Sequence, residues 1–597
     1  MIHPYVFNQF KLYITKGSPM FYSSLNKVSV FLLLLLMVTI ATWTVTKKQS
    51  SDIKLSQSYI VSAKDFARLS KTVEVNHFET THILPVINAV AVNLTEDELT
   101  LLKEEDWLKI SVNHQVKLSD NGWRKGQRRW QPKAIVADYI EATTAHSERI
   151  FGDGITIGIL DTGIEQLSGL TNDLYGYDKF WGTYDAINNS ISNYGGESSG
   201  HGTHVASIAV NSDYDINGKV YGVAPNASLV GIKAFDDEGK ATYADVIRGI
   251  DWAIQVKDQI NLRVLNMSFS GPVRSYYWDD PLNVAVMKAW QAGIVVVASA
   301  GNKGPEPMSV GVPGNVPYII TVGAMTDSYT ETYFEDDQLA SFSSAGPTVE
   351  SFIKPEIVAP GGHLSGLMSF DSKIVTEHPD FHDGGRYFEM SGTSQAAAVI
   401  SGVVALMLDK DPLLSPDDVK CRLMATARLA TDASGQLAYS VFQQGAGVVN
   451  VKDSLNSVAI DCANTAMNIS NDIAGSQHYF GPANVDENGN FFVEGLGERY
   501  QWNIADNLDS DGGLIWKNNL GTDGGLIWKN SLGTDGGLIW KNSVGVDGGL
   551  IWKNTVGVDG GLIWKNNFEI DGGLIWKNNV DFNQTEDISV NNWVEQQ

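Results

Sequence analysis

Between about residues 134 and 458, short apolar runs rich in β-branched residues alternate with longer stretches of helical pattern. The runs read ITIGIL, SLVGIKAF, RVLNMSFS, GIVVVASA and YIITVGA, and the helical stretches include ADVIRGIDWAIQVK and SQAAAVISGVVALMLD. Strands that are apolar on both sides must be buried on both faces of their sheet, and connecting helices provide that cover. The alternation therefore predicts an α/β fold in which a parallel sheet lies between two layers of helices.

Size and charge exclude several classes of protein. A chain of 597 residues is too long for one compact core, so three or four units are expected. With 43% apolar and 19% charged residues, it is not a wholly disordered chain. Its 43 basic and 69 acidic residues give a net charge of −26, which repels phosphate backbones. We therefore expect no nucleic-acid partner.

The N-terminal 48 residues contain a segment that engages membranes. An almost unbroken apolar run extends from Val28 to Val45, with Lys27 before it and Lys47 after it. The layout favours a secretory signal peptide, and an uncleaved signal anchor is the competing interpretation. From Met20 onwards the arrangement is that of an ordinary signal peptide, so Met20 and Met1 are both candidate starts. Either interpretation predicts a secreted or envelope-anchored protein that meets the membrane only through this segment.

Residues 52–118 show the pattern of a small α/β unit. Strand-like and helix-like segments alternate, and Thr95 and Glu98 form a capping-box pattern before a helix. Residues 119–133 are basic, aromatic and without periodicity, which predicts an exposed linker open to proteolysis.

After the predicted α/β region, residues 459–510 are expected to form a β-rich connector, and a strict repeat follows over 511–582. The unit DGGLIWKN recurs six times with a period of 12 residues, and residues 583–597 form a tail. Asp-Gly-Gly permits a tight turn and Leu-Ile-Trp favours a strand, which predicts stacked short strands or hairpins. Three interpretations stay open: Trp side chains packed on each other in a solenoid, aromatic platforms for a polymer, or a secretion or anchoring device.

Three segments of the α/β region carry side chains suited to catalysis. Asp161 ends a buried strand, His201 begins a helix after Gly200, and Ser394 begins a long apolar helix. The carboxyl ends of parallel strands are where α/β sheets place their ligands. An Asp, a His and a Ser in this chain order match one known order of the nucleophilic triad. We expect His201 to take the Ser394 proton and Asp161 to orient the imidazole.

Eight motifs in order resemble the subtilisin family of serine proteases over roughly residues 139–457. They are DTGI at 161–164, HGTHVAS at 201–207, YGVAPNASL at 221–229, LNMSFSG at 265–271, ASAGN at 298–302, ASFSSAGP at 340–347, KPEIVAPG at 354–361 and SGTSQAA at 391–397. The resemblance implies a subtilisin-like three-layer fold and a catalytic domain at 134–458. It also implies hydrolysis of proteins or peptides with no cofactor for catalysis.

The same resemblance implies roles for further residues. Asn302 matches the oxyanion-hole asparagine, and Gly311 matches the floor of the S1 pocket, which would admit a large apolar P1 side chain. Two substrate-binding strands are implied, one with Ser268, Phe269, Ser270 and Gly271, and one with Gly239, Lys240 and Ala241.

Residues 52–118 resemble the subtilisin propeptide, which implies an intramolecular inhibitor and a zymogen, and the C-terminal units resemble the GLIW-type repeats of some bacterial subtilases. Gln395 and Ala398 depart from the family pattern of Met and Pro after the nucleophile, and Ser270 replaces a frequent Gly. A catalytically silent binding or adhesion protein that acts through its Trp repeats is therefore the alternative function.

Two further features have weaker signals. Asp213, Asp215 and Asn217 alternate as oxygen ligands of calcium do, and a polar turn explains the same pattern. Cys421 and Cys462 bracket the end of the catalytic region, so we expect a disulfide rather than a reactive thiol.

Overall fold

The computed structural model describes residues 56–116, 136–192, 196–327, 337–431, 436–486, 489–493 and 502, together with five short strands in the repeats. The predicted signal segment at 1–48, the linker at 119–133 and the tail at 583–597 lie outside the described residues. The chain divides into two compact units, one of residues 1–57 and 94–102, and one of residues 58–93 and 103–597.

The N-terminal region contains a four-stranded sheet in the order β2-β3-β1-β4. Asp65 caps its first helix by accepting from the Arg68 amide at 3.0 Å. The predicted capping box is present, since Glu98 Oε2 accepts from the Thr95 amide at 2.7 Å. The elements are β1 (Gln57–Ala63), α1 (Phe66–Val75), β2 (Glu79–Leu84), a 3₁₀ turn (Pro85–Ile87), β3 (Ala89–Leu94), α2 (Glu96–Lys103), β4 (Leu108–Val112) and β5 (Gln115–Val116).

A nine-stranded sheet forms the centre of the larger unit, in the order β14-β13-β12-β11-β6-β9-β7-β8, with β15 also paired to β13. Its pairs are parallel except β7 with β8 and β13 with β14. The strands are β6 (Thr156–Asp161), β7 (Phe180–Asp185), β8 (Ser190–Ser192), β9 (Ser228–Lys233), β11 (Leu262–Met267), β12 (Val295–Ser299), β13 (Ile320–Thr326), β14 (Gln338–Leu339) and β15 (Ile357–Pro360).

The helices of this region begin at residues that favour helix starts. Thr242 and Asp245 form a capping box for α7, and Asp280 caps α8 ahead of Pro281. None of the described helices is long and apolar enough to cross a membrane. The helices are α3 (Val136–Tyr139), α4 (Ala142–Ser147), α5 (Ser168–Thr171), α6 (His201–Val210), α7 (Tyr243–Ile260), α8 (Pro281–Gln291), α9 (Lys373–Glu377), α10 (Thr393–Lys410), α11 (Pro416–Thr426), α12 (Val441–Gln444) and α13 (Val451–Asn456).

Helices α7 and α10 cover opposite faces of the sheet. A Cβ placed on Gly249 of α7 would contact Leu160, whereas Ser401 of α10 donates to Asn266 at 2.9 Å. Asn266 is in register with Ile159, the neighbour of Leu160 along β6, and adjacent strand residues point to opposite faces. The predicted sheet between two helical layers is therefore confirmed, but the sheet is mixed and largely parallel rather than wholly parallel, since β7 with β8 and β13 with β14 are antiparallel.

Short helices and strands outside the nine-stranded sheet make up the remaining described elements of the larger unit. The described part of 459–510 contains a helix and a hairpin, and Phe491 of the hairpin shares a core with Trp502 and with Phe442 of α12. Strand β21 of the first repeat pairs antiparallel with β18, and strands from repeats three to six pair in parallel and in register. These elements are β10 (Ala241–Thr242), β16 (Leu364–Leu367), β17 (Tyr387–Met390), a 3₁₀ turn (Pro379–Phe381), β18 (Leu429–Thr431), α14 (Ile469–Ile473), β19 (Ala483–Val485), β20 (Phe491–Val493), β21 (Ile515–Lys517), β22 (Ile539–Trp540), β23 (Ile551–Trp552), β24 (Ile563–Trp564) and β25 (Ile575–Trp576).

Candidate active site

Asp161 and His201 meet where β6 ends and α6 begins. Asp161 Oδ1 lies 2.7 Å from His201 Nδ1 and also accepts from the Thr162 amide at 2.8 Å. Both side chains are fully buried. Gly200 precedes the helix with a φ of +99°, a conformation that glycine adopts at little cost. An imidazole held this way by a carboxylate presents its Nε2 atom as a base.

Ser394 is the second residue of α10 and is bonded to Ser268 through both of its oxygen atoms. Its hydroxyl donates to the Ser268 carbonyl oxygen at 3.1 Å, and the Ser268 hydroxyl donates to the Ser394 carbonyl oxygen at 2.9 Å. His201 Nε2 is buried and has no hydrogen-bond partner among the described residues. The structure therefore joins Asp161 to His201 directly, while the Ser394 hydroxyl is turned to Ser268.

Asn302 follows β12 by three residues and contacts the start of α10. Its Oδ1 accepts from the Thr393 amide at 3.0 Å and from the Thr393 hydroxyl at 2.7 Å. Its Nδ2 is buried without a partner in the described part of the chain, and a Cβ on Gly392 would lie 3.3 Å from it. A buried amide donor without a partner, next to the predicted nucleophile Ser394, suits an anion that forms during a reaction.

Comparison with known proteins identifies the family. The profile of the subtilase family matches residues 152–447. The chain is 36% identical to serine protease AprX of Bacillus subtilis (strain 168) over 327 residues, which cover 54% of this chain and 71% of AprX. This chain belongs to the subtilase family. It is accordingly a serine-type endopeptidase with the α/β fold of that family.

Two further comparisons support the same fold. Subtilisin DY of Bacillus licheniformis is 34% identical over 315 residues, which cover 52% of this subtilase and 95% of that protein. The crystal structure of fervidolysin from Fervidobacterium pennivorans, described as a keratinolytic enzyme related to subtilisin, matches with a TM-score of 0.52 and 24% identity. That match covers 68% of this chain and 62% of fervidolysin, and it speaks to the fold alone.

The predicted substrate-binding strand that contains Gly239, Lys240 and Ala241 is already paired with the N-terminal strand β5 in this subtilase. Ala241 and Thr242 of β10 form an antiparallel ladder with Val116 and Gln115 of β5. Gly239 and Lys240 precede this ladder in a turn around Asp236, which accepts from the Lys240 amide at 2.8 Å.

The other predicted substrate-binding strand, which contains Ser268 to Gly271, lies beside Gly311. Gly271 bridges to Val312, with both N–H to oxygen distances at 2.8 Å. A Cβ placed on Gly311 would collide with the Ser270 hydroxyl, so that hydroxyl occupies the space beside the predicted pocket floor. Phe269 is buried against Phe235, with ring centroids 5.1 Å apart, and therefore belongs to the hydrophobic core.

The unusual Gln395 contacts a second histidine of the HGTH motif. Its Nε2 lies 3.3 Å from His204 Nδ1, while His204 Nε2 lies 2.9 Å from the Phe388 carbonyl oxygen. Burial lowers the pKa of His204 to about 4, so the ring is neutral. Gln395 and Ala398 lie within the continuous helix α10, and their presence leaves the helix intact.

The predicted calcium loop is engaged in other contacts. Asp213 forms an ion pair with Arg386 at 2.8 Å, and Asp215 accepts from the backbone amides of Asn217 and Lys219 at 2.8 Å each. Within the described ranges, no group of three or more His, Cys, Asp or Glu side chains is arranged to hold a metal ion. The contacts of Asp215 are those of a polar turn, and the ion pair of Asp213 ties the loop to a distant segment.

Cys421 and Cys462 form a disulfide in the structure, with their Cα atoms 5.2 Å apart. Cys421 lies in α11 and is buried.

Sequence reasoning missed one acidic residue at the site. Glu197 lies four residues before His201, and its Oε2 is 3.0 Å from the Thr162 hydroxyl. The sequence shows only a single acidic residue before the HGTH motif. Its role becomes visible only through the contact with Thr162, which the sequence does not reveal.

Proposed function

We propose that this subtilase hydrolyses peptide bonds with Ser394 as nucleophile, His201 as general base and Asp161 as the residue that orients the imidazole. The observation that carries the proposal is the 2.7 Å contact from Asp161 to His201 Nδ1, together with a buried Nε2 that has no partner among the described residues. Asn302 Nδ2 and the Ser394 amide are the proposed donors to the oxyanion.

The reaction requires one rotation before chemistry. Ser394 must turn its hydroxyl from the Ser268 carbonyl oxygen to His201 Nε2, which then accepts the proton as Oγ attacks the substrate carbonyl carbon. The protonated His201 next donates a proton to the leaving amine. His201 then accepts a proton from water, which attacks the acyl-enzyme and releases Ser394. The free amide of Asn302 stabilises the negative oxygen in both steps.

The proposed substrate lies extended between β10 and the segment Ser268 to Gly271, with its main chain bonded to both. The absence of a side chain at Gly311 supports a large apolar P1 residue, and the neighbouring Ser270 hydroxyl narrows the same pocket.

We propose that residues 52–118 are an inhibitor-type propeptide. The pairing of β5 with β10 supports this, since it occupies the edge that a substrate would use. Three further contacts join the two regions: Asn113 Oδ1 with the Ala244 amide at 3.1 Å, His82 with Asp245 at 3.1 Å, and Lys109 with Asp279 at 2.8 Å. Cleavage within 119–133 would then separate propeptide from the catalytic domain at 134–458.

We further propose that the protein is secreted, on the layout of residues 20–48, and that the 511–582 repeats are an appendage to the enzyme. The silent binding alternative has no specific observation in its favour.

Labelling with a fluorophosphonate probe tests the proposed function. The purified wild type is compared with Ser394→Ala, and the intact mass of both is measured. We expect a label on the wild type alone, on a species shortened by the 52–118 unit. A correctly shortened but unlabelled protein would contradict the proposal, whereas an unlabelled full-length protein would call for cleavage in 119–133 before the test is repeated.

A further inference from the structure

Glu197 caps the helix that carries His201. Its Oε1 accepts from the Gly200 amide at 3.0 Å, and its Oε2 accepts from the Thr203 amide at 3.3 Å. Free amides at a helix start favour a negatively charged acceptor. The carboxyl group of Glu197 therefore helps to fix the position from which the His201 ring is presented.

The Thr162 hydroxyl lies between Glu197 and Asp161. Thr162 Oγ1 is 3.0 Å from Glu197 Oε2 and 3.2 Å from Asp161 Oδ1, and it accepts from the Gly202 amide at 3.0 Å. A hydroxyl group has one proton to donate. It can therefore serve only one of the two carboxyl groups at a time.

The protonation state of Glu197 decides which one is served. An ionised Glu197 can only accept, so the Thr162 proton is drawn to the nearer Oε2 atom. A protonated Glu197 donates to Thr162 Oγ1 instead, and the Thr162 proton then turns to Asp161 Oδ1. Asp161 gains or loses one hydrogen bond in this exchange without any movement of the backbone.

The packing around Gly202 keeps these groups together. A Cβ on Gly202 would clash with the Gly163 carbonyl oxygen, and would lie 3.1 Å from Glu197 Oε2 and 3.2 Å from Asp161 Cβ. Backbone thus fills the space beside the three side chains, and their contacts are maintained by the fold.

We propose that Glu197 is a positioning residue of this enzyme, which sets through the Thr162 hydroxyl how strongly Asp161 supports the charge on His201. The proposal rests on the proposed triad.

The charged groups around Glu197 allow both of its states near neutral pH. Burial, together with the neighbouring Asp161, raises the pKa of Glu197 to about 7, and Lys233 opposes this shift. Lys233 itself is engaged, since its Nζ donates to the Gly196 carbonyl oxygen and to Asp237. The other titratable groups that face this side of the loop are Glu165, Asp237 and Asp371, with His201 beyond Asp161.

A neutral side chain at position 197 makes the imidazolium of His201 less favourable for two reasons. One negative charge is lost from its surroundings, and Asp161 shares its own charge with one more hydrogen bond. Glu197→Gln imitates the protonated state, because its amide can donate to Thr162 while its oxygen still accepts from the Gly200 amide. The protein should therefore support the imidazolium of His201 less strongly in this variant.

The test is the pH dependence of kcat/KM on a small chromogenic peptide, measured from about pH 5 to pH 9 on the processed enzyme. In the Glu197→Gln variant, we expect the acidic limb of the pH profile of kcat/KM to move to lower pH by about half a unit or more. Asp237→Asn is the matched control, since it removes a carboxylate on the same side that is not bonded to Thr162, and its limb should move less. In a Thr162→Val background, the shift caused by Glu197→Gln should be clearly smaller, because only the loss of the negative charge remains.

Three results would overturn the proposal: an unchanged acidic limb in Glu197→Gln, an equal shift in Asp237→Asn, or a shift of undiminished size in the Thr162→Val background. If Glu197→Gln does not fold, Thr162→Ser and Thr162→Val replace it. The Ser variant should keep the wild-type limb and the Val variant should move it to higher pH, and identical limbs would overturn the proposal. An unlabelled wild type in the fluorophosphonate experiment would instead overturn the proposed triad.

Discussion

Val116 lies directly opposite Ala241 in the short antiparallel ladder between β5 and β10. The backbone groups of one strand edge can pair with only one partner at a time. A substrate strand at β10, as proposed, and the N-terminal region would therefore exclude each other, and the strength of this docking would then set when the proposed active site becomes accessible.

Asn113→Ala should weaken that docking. Its Oδ1 accepts from the Ala244 amide at 3.1 Å, near the start of α7. Loss of such a bond costs about 1 kcal/mol, or roughly a fivefold increase in the dissociation constant. Activity regained on dilution of the processed, still associated complex measures this constant. Asn113→Asp keeps the acceptor and is the control; equal constants for Asn113→Ala and the wild type would refute the expectation.

Acid should loosen the same contact through His114. The Tyr243 amide donates to the His114 carbonyl oxygen at 3.0 Å, and the two rings lie 5.7 Å apart. Burial, with a smaller effect from Arg274, lowers the pKa of His114 from 6.5 to about 4. Because the docked state prefers the neutral ring, its stability is complete above pH 6.5 and is lost progressively as the pH falls towards 4.

Hydrogen exchange of the Gln115 and Val116 amides in the Ser394→Ala chain measures this loosening, once intrinsic rates are corrected for pH. Protection should decrease from pH 6.5 to 4 in this chain. His114→Phe should remove most of the pH dependence, and an unaltered dependence in that variant would exclude His114 as its source.

Ser270→Gly should widen the proposed P1 pocket. The Ser270 hydroxyl lies where a side chain on Gly311 would be, so its removal frees space at the pocket floor. Space for one more methylene changes selectivity by about tenfold or more. We expect kcat/KM to rise by about that factor for Phe over Ala at P1. Steady-state rates on two matched peptides test this, and a constant ratio would assign P1 selectivity to other residues.

The sheet and the order of the site segments were predictable because they follow from local patterns. A strand that ends in Asp161 and helices that begin at His201 and Ser394 are visible as periodicity, glycine and motif order. The structure brings the first two of these side chains into contact at 2.7 Å.

Other features depend on contacts between distant segments, which periodicity does not carry. The direction of the Ser394 hydroxyl is set by Ser268, which lies 126 residues away. Asp213, a predicted calcium ligand, instead forms an ion pair with Arg386. Glu197 gains its meaning only from Thr162, on a different element.

Asn302→Ala should lower kcat by about 10²- to 10³-fold with little change in KM, because its Nδ2 is expected to bond only the anionic oxygen. The variant also removes the acceptor for Thr393. Thr393→Val provides the control for that loss, since it leaves the Asn302 amide in place. Initial rates on a peptide ester or anilide separate kcat from KM. Comparable kcat values in Asn302→Ala and Thr393→Val would remove Asn302 from the oxyanion site.

The disulfide should stabilise the C-terminal side of the catalytic region mainly by restricting the unfolded chain. Cys421 and Cys462 are 41 residues apart, and closing a loop of that size contributes about 3 to 4 kcal/mol to the free energy of unfolding. Cys421→Ala with Cys462→Ala should lose about this amount, measured by urea unfolding in the Ser394→Ala chain, where autolysis cannot interfere. A reductant should lower the stability of the parent chain and leave the double variant unchanged. Equal stability of the parent chain and the double variant would instead assign the stabilisation to other contacts of α11, such as the ion pair of Lys420 with Glu356 at 2.9 Å.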